Sequence, residues 1–466
     1  MNVYSGNRFR EFDFYRNIEK DYLSDPTTLG FGLSVCASLF MLVLFIAELW
    51  AFLSLTVATN IVIDPISDQL LRINFNITVL DLPCEFAVID VVDVLGTRND
   101  NVTKNVNKWQ IDSAGFRRNY EGRNSEQRDL KHDNHDEIQL KEGEHAVPID
   151  QANFEGWLRD NHYVFVNFYA PWCIWCQRLE PVWEAFAERV DEDKTPISIV
   201  KVDCVANRDL CMNQKIQAFP TLRVFKDSKA QPPDYRSDRT VDAFNEFVLQ
   251  RLAQDKQVAD MDHDTRKAHL ERLELQRDDH PGCLMSGFLL VNRVPGNFHI
   301  EARSKHHNLN PVMSNISHIV NHLSFGPALS RAQTRRVEEL PKEYFDIEST
   351  RPFDENEYTI KKLHTAYHHY IKVVGTRMEI GARYTGKDAI LAYQVVQNSQ
   401  LMTYNVEDIP EARFSYDISP MSVVISRKGK HWYEFITSIC AIIGGTFTVI
   451  GLLNTAITTI FKTKKY

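Results

Sequence analysis

FYAPWCIWCQRLEPVWE, residues Phe168 to Glu184, joins a hydrophobic strand to a helix through Pro171-Trp172 and sets two cysteines three apart where the helix begins. The apolar run Tyr163 to Tyr169 (YVFVNFY) leads into it, and Glu180 to Val190 continues with helical periodicity. A cysteine at a helix N-terminus faces unpaired N–H groups and the positive end of the helix dipole. Both favour thiolate, and a second cysteine one turn on lies within disulfide reach. Cys173 is the expected nucleophile and Cys176 the resolving thiol. The competing readings of CxxC are a fixed disulfide and half a zinc site. Zinc needs two more ligands, and the nearby pair Cys204 and Cys211 lacks a knuckle-like spacing, so the expectation is a redox dithiol with no metal and no cofactor.

Outward from this stretch, helix and strand patterns alternate over residues 146–255. Gln151 to Asp160 reads as helix, Ile197 to Val202 as strand, Arg208 to Gln217 as helix, Thr221 to Phe225 as strand, and Val241 to Leu252 as a closing amphipathic helix. This is an α/β domain around a mixed sheet. Before it, residues 54–111 are β-rich, with apolar alternation from Leu71 to Val79, and residues 112–145 turn charged and polar, as a linker does. After it, 256–280 reads as a charged helical connector. Residues 281–434 form a second β-rich segment, with strands at Gly287 to Asn292, His364 to Val374 and Met421 to Ile425. Two β-rich halves thus flank an inserted α/β domain.

Leu29 to Ala47 and Phe435 to Ile460 carry no charge, and each is long enough to cross about 30 Å of hydrocarbon as a helix. The first competes with a signal peptide, but a polar stretch precedes it and no cleavage-type ending follows. The expected spans are 29–53 and 435–460. Arg8, Arg10, Arg16 and Lys20 precede the first span, while Lys and Arg are absent from Glu48 to Leu71, so tails 1–28 and 461–466 are both expected in the cytosol. Arg427, Lys428 and Lys430 before the second span weaken that assignment; Lys462, Lys464 and Lys465 follow it. The glycosylation tripeptides at Asn76, Asn101 and Asn315 all fall in the presumed lumenal part. Cys36 and Cys440 lie in the spans, which leaves six of the eight cysteines in a disulfide-permissive compartment. A formal charge of -9 with interspersed Lys and Arg excludes a general nucleic-acid binder. His306, His307, His318, His322, His364, His368 and His369 lack a ligand pattern and read as loop and strand-surface residues.

The central segment resembles a thioredoxin-fold domain of the protein disulfide isomerase type. Val200-Lys201-Val202-Asp203-Cys204 and Phe219-Pro220-Thr221 carry the likeness beside Ala170-Pro171-Trp172-Cys173. The resemblance implies a cis-proline turn at Pro220 beside a docked substrate chain, a structural disulfide between Cys204 and Cys211, and a mobile arginine, Arg239, that tunes the resolving thiol. Lys201 and Trp172 would support the site. Where the family carries a buried acid, this chain has Asn167, which cannot take a proton. Slow release of mixed disulfides is the consequence. Ile174-Trp175 replaces the family's Gly-His, which implies a less depressed Cys173 and a less oxidising dithiol. Trp175 itself reads equally as surface packing or as a grip on unfolded chains.

The flanks resemble a second family, the two-pass cargo receptors that cycle between the endoplasmic reticulum and the Golgi. Phe12-Asp13-Phe14-Tyr15, Leu44 to Leu49, Cys84-Glu85-Phe86, Asp93 to Gly96, Gly282-Cys283, Gly287-Phe288, Val294 to His299, His322 to Gly326 and Cys440 to Val449 carry it. The whole is similar to membrane-bound disulfide isomerases of plants and protists. The implied fold class is an α+β membrane protein: a thioredoxin fold inserted in a β-rich lumenal domain between two transmembrane helices. Cys84 and Cys283 read either as a staple joining the lumenal halves or as two free thiols. Lys462 and Lys464 resemble a retrieval signal, or serve as a basic flank. The expected function is thiol–disulfide exchange on folding secretory proteins, or cargo capture with little turnover. The expected partners are those clients, vesicle coats at the cytosolic tails and the bilayer, and an oligomer with related receptors stays open.

Overall fold

A computed structural model describes residues 28–54, 56–64, 70–93, 96, 100–112, 115–124, 129–133, 143–262, 267, 282–379 and 389–463. The N-terminal motif around Phe12, its basic flank, most of the 256–280 connector and the terminal Lys464 lie outside them. The chain divides into two compact units, residues 1–59, 379–388 and 425–466 in one, and 60–378 and 389–424 in the other.

The first unit holds two long helices, α1 (Thr28–Leu53) and, closing the chain, α7 (Trp432–Thr463). Ser34–Leu53 and Trp432–Leu453 are long and apolar enough to cross a membrane. With no polar face to turn towards water, neither helix can be amphipathic. They contact each other through Phe52 stacked on Phe435 at 4.6 Å, and Lys430 Nζ donates to Glu48 Oε1 at 2.7 Å.

In the second unit the chain forms β1 (Thr56–Ile63), β2 (Leu71–Val79), β3 (Ala87–Asp93), β4 (Val106–Ile111) and β5 (Arg117–Arg123). Strand β5 corrects the linker assignment for residues 112–145: a mainly polar seven-residue stretch pairs with β4 because the sheet supplies backbone partners that composition does not reveal. The inserted domain follows: β6 (Val147–Pro148), α2 (Gln151–Asp160), β7 (Tyr163–Tyr169), α3 (Ile174–Glu192), β8 (Ser198–Asp203), α4 (Arg208–Asn213), β9 (Ala218–Phe219), β10 (Thr221–Lys226), β11 (Lys229–Ala230) and α5 (Val241–Ala259). The chain then returns to β structure through β12 (Cys283–Val291), β13 (Gly296–Ala302), β14 (Asn308–Leu309), β15 (His318–Phe325), α6 (Arg331–Glu338), β16 (Asn356–Tyr358), β17 (Thr365–Glu379), β18 (Ile390–Thr403), β19 (Glu411–Ile418) and β20 (Met421–Lys428).

The β-rich halves interleave. One sheet runs β16-β15-β2-β12-β4-β5 and the other β1-β20-β17-β19-β13-β3, with β18 against β17. Strand β2 from the first half is clamped between β12 and β15 of the second, Cys283 opposite Val79 and Phe325 opposite Ile73. The sheets share one core, to which each contributes its alternate apolar residues: Ile73, Phe75 and Leu289 from one, Phe298, Val373 and Phe414 from the other. Phe298 and Phe414 stack 4.7 Å apart. Two motif glycines are needed for close approach. A Cβ on Gly287 would strike the Asn105 carbonyl, and one on Gly326, at φ +81°, would strike the Tyr393 ring.

The insert has its own sheet, β11-β10-β7-β8-β6. Strand β7 is buried on both faces, which is why it reads as an unbroken apolar run rather than an alternating one. Val164, Val166 and Phe168 face a core with Phe154 and the two active-site cysteines; Phe165 faces the opposite core of Trp183, Phe186 and Phe244. Losing Phe165 to alanine would cost about 3–5 kcal/mol.

Candidate active site

Cys173 is the N-cap of α3, with extended backbone (φ -76°, ψ 118°), and its Sγ accepts the Cys176 backbone N–H at 3.1 Å. At the start of the helix the Cys176 amide, which has no partner a full turn back within the helix, is turned towards this sulfur. Sγ also lies 3.5 Å from the Phe219 carbonyl oxygen. The two sulfurs are bonded to each other, and Cys173 has no exposed surface. Beside it the Phe219–Pro220 peptide is cis. The exposed indole next to the nucleophile is Trp172, 54 % exposed and edge-on to Phe219.

Trp175 is packed rather than free. His132 stacks on it with centroids 5.6 Å apart, His306 meets it edge-on at 5.3 Å, and the Arg178 guanidinium lies 4.9 Å over its ring. His132 comes from the expected linker, whose residues 129–133 lie across this part of the insert; Lys131 O accepts the Arg239 backbone N–H at 2.8 Å. His306 comes from the β-rich domain. Burial, with Arg239 next, pushes His132 down to about 4.

Arg239, expected to be a mobile neighbour of the resolving thiol, is buried. Its Nη2 donates to His307 Nε2 at 2.8 Å, so His307 Nδ1–H is left to donate to Ser304 Oγ at 3.0 Å. Burial lowers the guanidinium to about 10, against the pull of Glu85, and takes His307 well below its ordinary value. The edge beside Pro220 is occupied as well. Strand β14 pairs with β9, Asn308 opposite Phe219 and Leu309 opposite Ala218, and Asn310 N–H donates to Gln217 O at 2.8 Å. Host and insert are further tied by Arg236 to Glu85 at 3.0 Å and Gln217 Nε2 to Asp81 O at 2.8 Å.

Asn167 is buried in β7, and its Oδ1 makes no hydrogen bond. Its register neighbour Lys201 is paired instead with Glu184 of α3, Nζ to Oε1 at 2.9 Å, and the other Glu184 oxygen accepts the N–H groups of His145 and Ala146. Burial alone would lower the Lys201 ammonium; the hydrogen bond and charge of Glu184, with Glu144, outweigh it and raise it. The sequence reading missed Glu184. The only signal available was that Lys201, opposite an asparagine, needed an acid from elsewhere. Glu184 stands eight residues beyond Cys176, about 12 Å along the helix axis, too far for direct proton transfer.

Two further pairs are Cys204–Cys211, tying the end of β8 to α4, and Cys84–Cys283, with Cα atoms 4.8 Å apart, the arrangement of the staple reading; Cys36 and Cys440 are unpaired. Of the glycosylation tripeptides, Asn76 is half-buried within β2, and Asn315 is bound on both sides, Nδ2 to Asp81 and Oδ1 to Ser317. The Asn101 side chain lies outside the described residues. Two histidines read as surface residues are core: His318 and His369 are fully buried and bonded to each other. His322 bonds Asp354 and Ser324, and His368 bonds Tyr404.

A thioredoxin fold with a cysteine pair at the start of its first long helix, set into a β-sandwich between two long apolar helices, defines a fused class of protein. Three family profiles match in that order: Endoplasmic Reticulum-Golgi Intermediate Compartment (ERGIC) over residues 9–100, Thioredoxin over 145–250, and Endoplasmic reticulum vesicle transporter over 251–454. Protein disulfide-isomerase 5-4 of Arabidopsis thaliana is 32% identical over 97% of this chain and 96% of its own, and protein disulfide isomerase-like 5-4 of Oryza sativa is 32% identical over the same shares. Endoplasmic reticulum-Golgi intermediate compartment protein 1 of Danio rerio is 27% identical over 53% of this chain and 81% of its own. The chain belongs to the family of the 5-4 protein disulfide isomerases.

Proposed function

We propose that the chain is a thiol–disulfide oxidoreductase of the early secretory pathway, held in the membrane of the endoplasmic reticulum and the ER–Golgi intermediate compartment, both tails in the cytosol. The observation that carries this is Cys173 Sγ at the N-terminus of α3, accepting the Cys176 amide at 3.1 Å. The same amide stabilises a thiolate when the dithiol is reduced. The Cys173 thiolate attacks a client disulfide; one client sulfur joins Cys173 and the other leaves as thiolate. The Cys176 thiolate then attacks Cys173 Sγ, the internal disulfide reforms, and the second client sulfur leaves reduced. Run in reverse, the same steps oxidise a client, and an isomerase alternates the two directions.

A cargo-holding variant of this chemistry has its own support. Asn167 in β7 cannot take the Cys176 proton and Glu184 is committed to Lys201, which prolongs the mixed disulfide. Secretory clients held this way, and vesicle coats at the cytosolic tails, are the partners of this reading. The test is Cys176→Ala in the full-length chain. Client adducts on Cys173 should accumulate, and Cys173→Ser should abolish both adducts and turnover of a disulfide-bonded peptide. Turnover unchanged by Cys173→Ser refutes the oxidoreductase reading.

A further inference from the structure

On the face of the β3-β13-β19 edge of the larger sheet, four side chains converge from three strands. Asp90 lies opposite His299 across β3 and β13, and Glu301 lies directly opposite Glu411 across β13 and β19. Two carboxylates directly opposed on adjacent strands repel one another unless positive charge sits between them. Arg303 holds Asp90 at 2.8 Å and reaches Glu301 at 3.4 Å, and Arg413 holds Glu411. Among the described residues, three carboxylates, one imidazole and two guanidiniums meet at this edge.

His299 is 4 % exposed, and its Nε2 makes no hydrogen bond. The Nδ1 side contacts Asn297 Oδ1 at 3.4 Å. Nε2 lies 3.7 Å from Glu301 Oε2 and 3.6 Å from Glu411 Oε2. Both spacings exceed a hydrogen bond, but they approach the separation of about 3.4 Å between neighbouring ligand atoms around one tetrahedral zinc at about 2.1 Å from each. Candidate donor atoms of Asp90, His299 and Glu301 lie within 4.8 Å of one another.

We propose that Asp90, His299, Glu301 and Glu411 form a binding site for a divalent transition-metal ion of the zinc type, with His299 Nε2, Glu301 and Glu411 as primary ligands and Asp90 closing the set. Arg303 and Arg413 act as outer partners that orient the carboxylates, as hydrogen-bonded second shells do elsewhere. An imidazole nitrogen in the set favours a first-row ion such as Zn2+ over Ca2+, which takes oxygen ligands, and the lack of a thiolate disfavours the softer ions. The ion stitches three strands together at the sheet edge, so its role is structural. Being on the host sandwich, the site is separate from the dithiol and independent of its chemistry.

The test uses the full-length chain in detergent, stripped with chelator, in a Cys173→Ser/Cys176→Ser background that removes the exchange-active sulfurs as competing ligands. Zn2+, Mn2+ and Ca2+ are added singly, bound metal is counted by mass spectrometry after gel filtration, and thermal unfolding is followed in parallel. The expected result is one tightly held Zn2+ per chain, a raised unfolding midpoint, and at least tenfold weaker binding in His299→Ala. Should His299→Ala fail to fold, Glu411→Gln must show the weakening. Absence of stoichiometric Zn2+, or retention unchanged in the variants, overturns the site. Uptake of Ca2+ alone overturns the ion class.

Discussion

Acid should loosen the β-sandwich through His318 and His369. Both are buried among Tyr358, Phe353 and Phe414. Their protons are fully assigned by the partners: Nδ1–H of His318 donates to the Ile316 carbonyl at 2.9 Å, Nε2–H of His369 donates to His318 Nε2 at 3.1 Å, and Ser399 donates to His369 Nδ1 at 2.8 Å. A proton added at His318 Nε2 would face the His369 N–H, and two adjacent imidazolium rings would repel each other in the core. Burial pushes His318 down to about 4, and burial with the neighbouring imidazoles pushes His369 down to about 2. Because the folded values lie below the ordinary 6.5, the stability tied to the neutral pair is complete above pH 6.5 and drains away as pH falls towards the folded values. At pH 5 each histidine that protonates freely in the unfolded chain withdraws about 2 kcal/mol, so the pair withdraws about 4 kcal/mol. For a domain of this size that lowers the unfolding midpoint by about 10 °C. The assay is tryptophan fluorescence during thermal unfolding of the full-length chain between pH 7.5 and 5, compared with His318→Leu/His369→Phe. His132, His307 and His368 are also shifted down and keep a residual slope in both proteins. An identical pH slope in wild type and double variant would refute the assignment.

Three further outcomes are expected. Cys84→Ser/Cys283→Ser opens a loop with a sequence separation of 199 and should cost about 5 kcal/mol by chain entropy, little less if the insert stays folded; equal denaturant midpoints with and without the bond would contradict it. Glu184→Gln strands the Lys201 ammonium beside Asn167 and should destabilise the insert by about 3–5 kcal/mol, with Glu184→Leu/Lys201→Met recovering most of it in the same chemical-unfolding experiment. Asn310→Pro removes the amide that binds Gln217 and frees the edge beside Pro220, at a cost of about 1 kcal/mol. Reduction of a disulfide-bonded peptide should then speed up; an unchanged rate would mean that this edge does not limit client access.

The sequence by itself determined what depends on neighbours along the chain. Pro171 before Cys173, the three-residue spacing to Cys176 and the following helical periodicity are local, and local rules set a helix N-cap regardless of what surrounds it. The two long apolar helices and the continuous apolar β7 are legible for a like reason: the length of an uncharged run in the first case, and burial on both faces in the second, leave their mark on composition. Only the tertiary structure decided the rest, because it depends on which strands meet. The polar stretch Arg117 to Arg123 became a strand through the partner β4 offered. Trp175 is covered by histidines from residues 132 and 306, and Arg239 is held by His307, pairings that span from 43 to 131 positions and leave no periodic trace. Glu184 reaches Lys201 from a helix rather than from a neighbouring strand, and His299, set among carboxylates on three strands, carried no spacing pattern at all. The dithiol's position is therefore written in one short stretch, while its shielding, its missing proton acceptor and the charge cluster of the host sandwich arise from long-range packing.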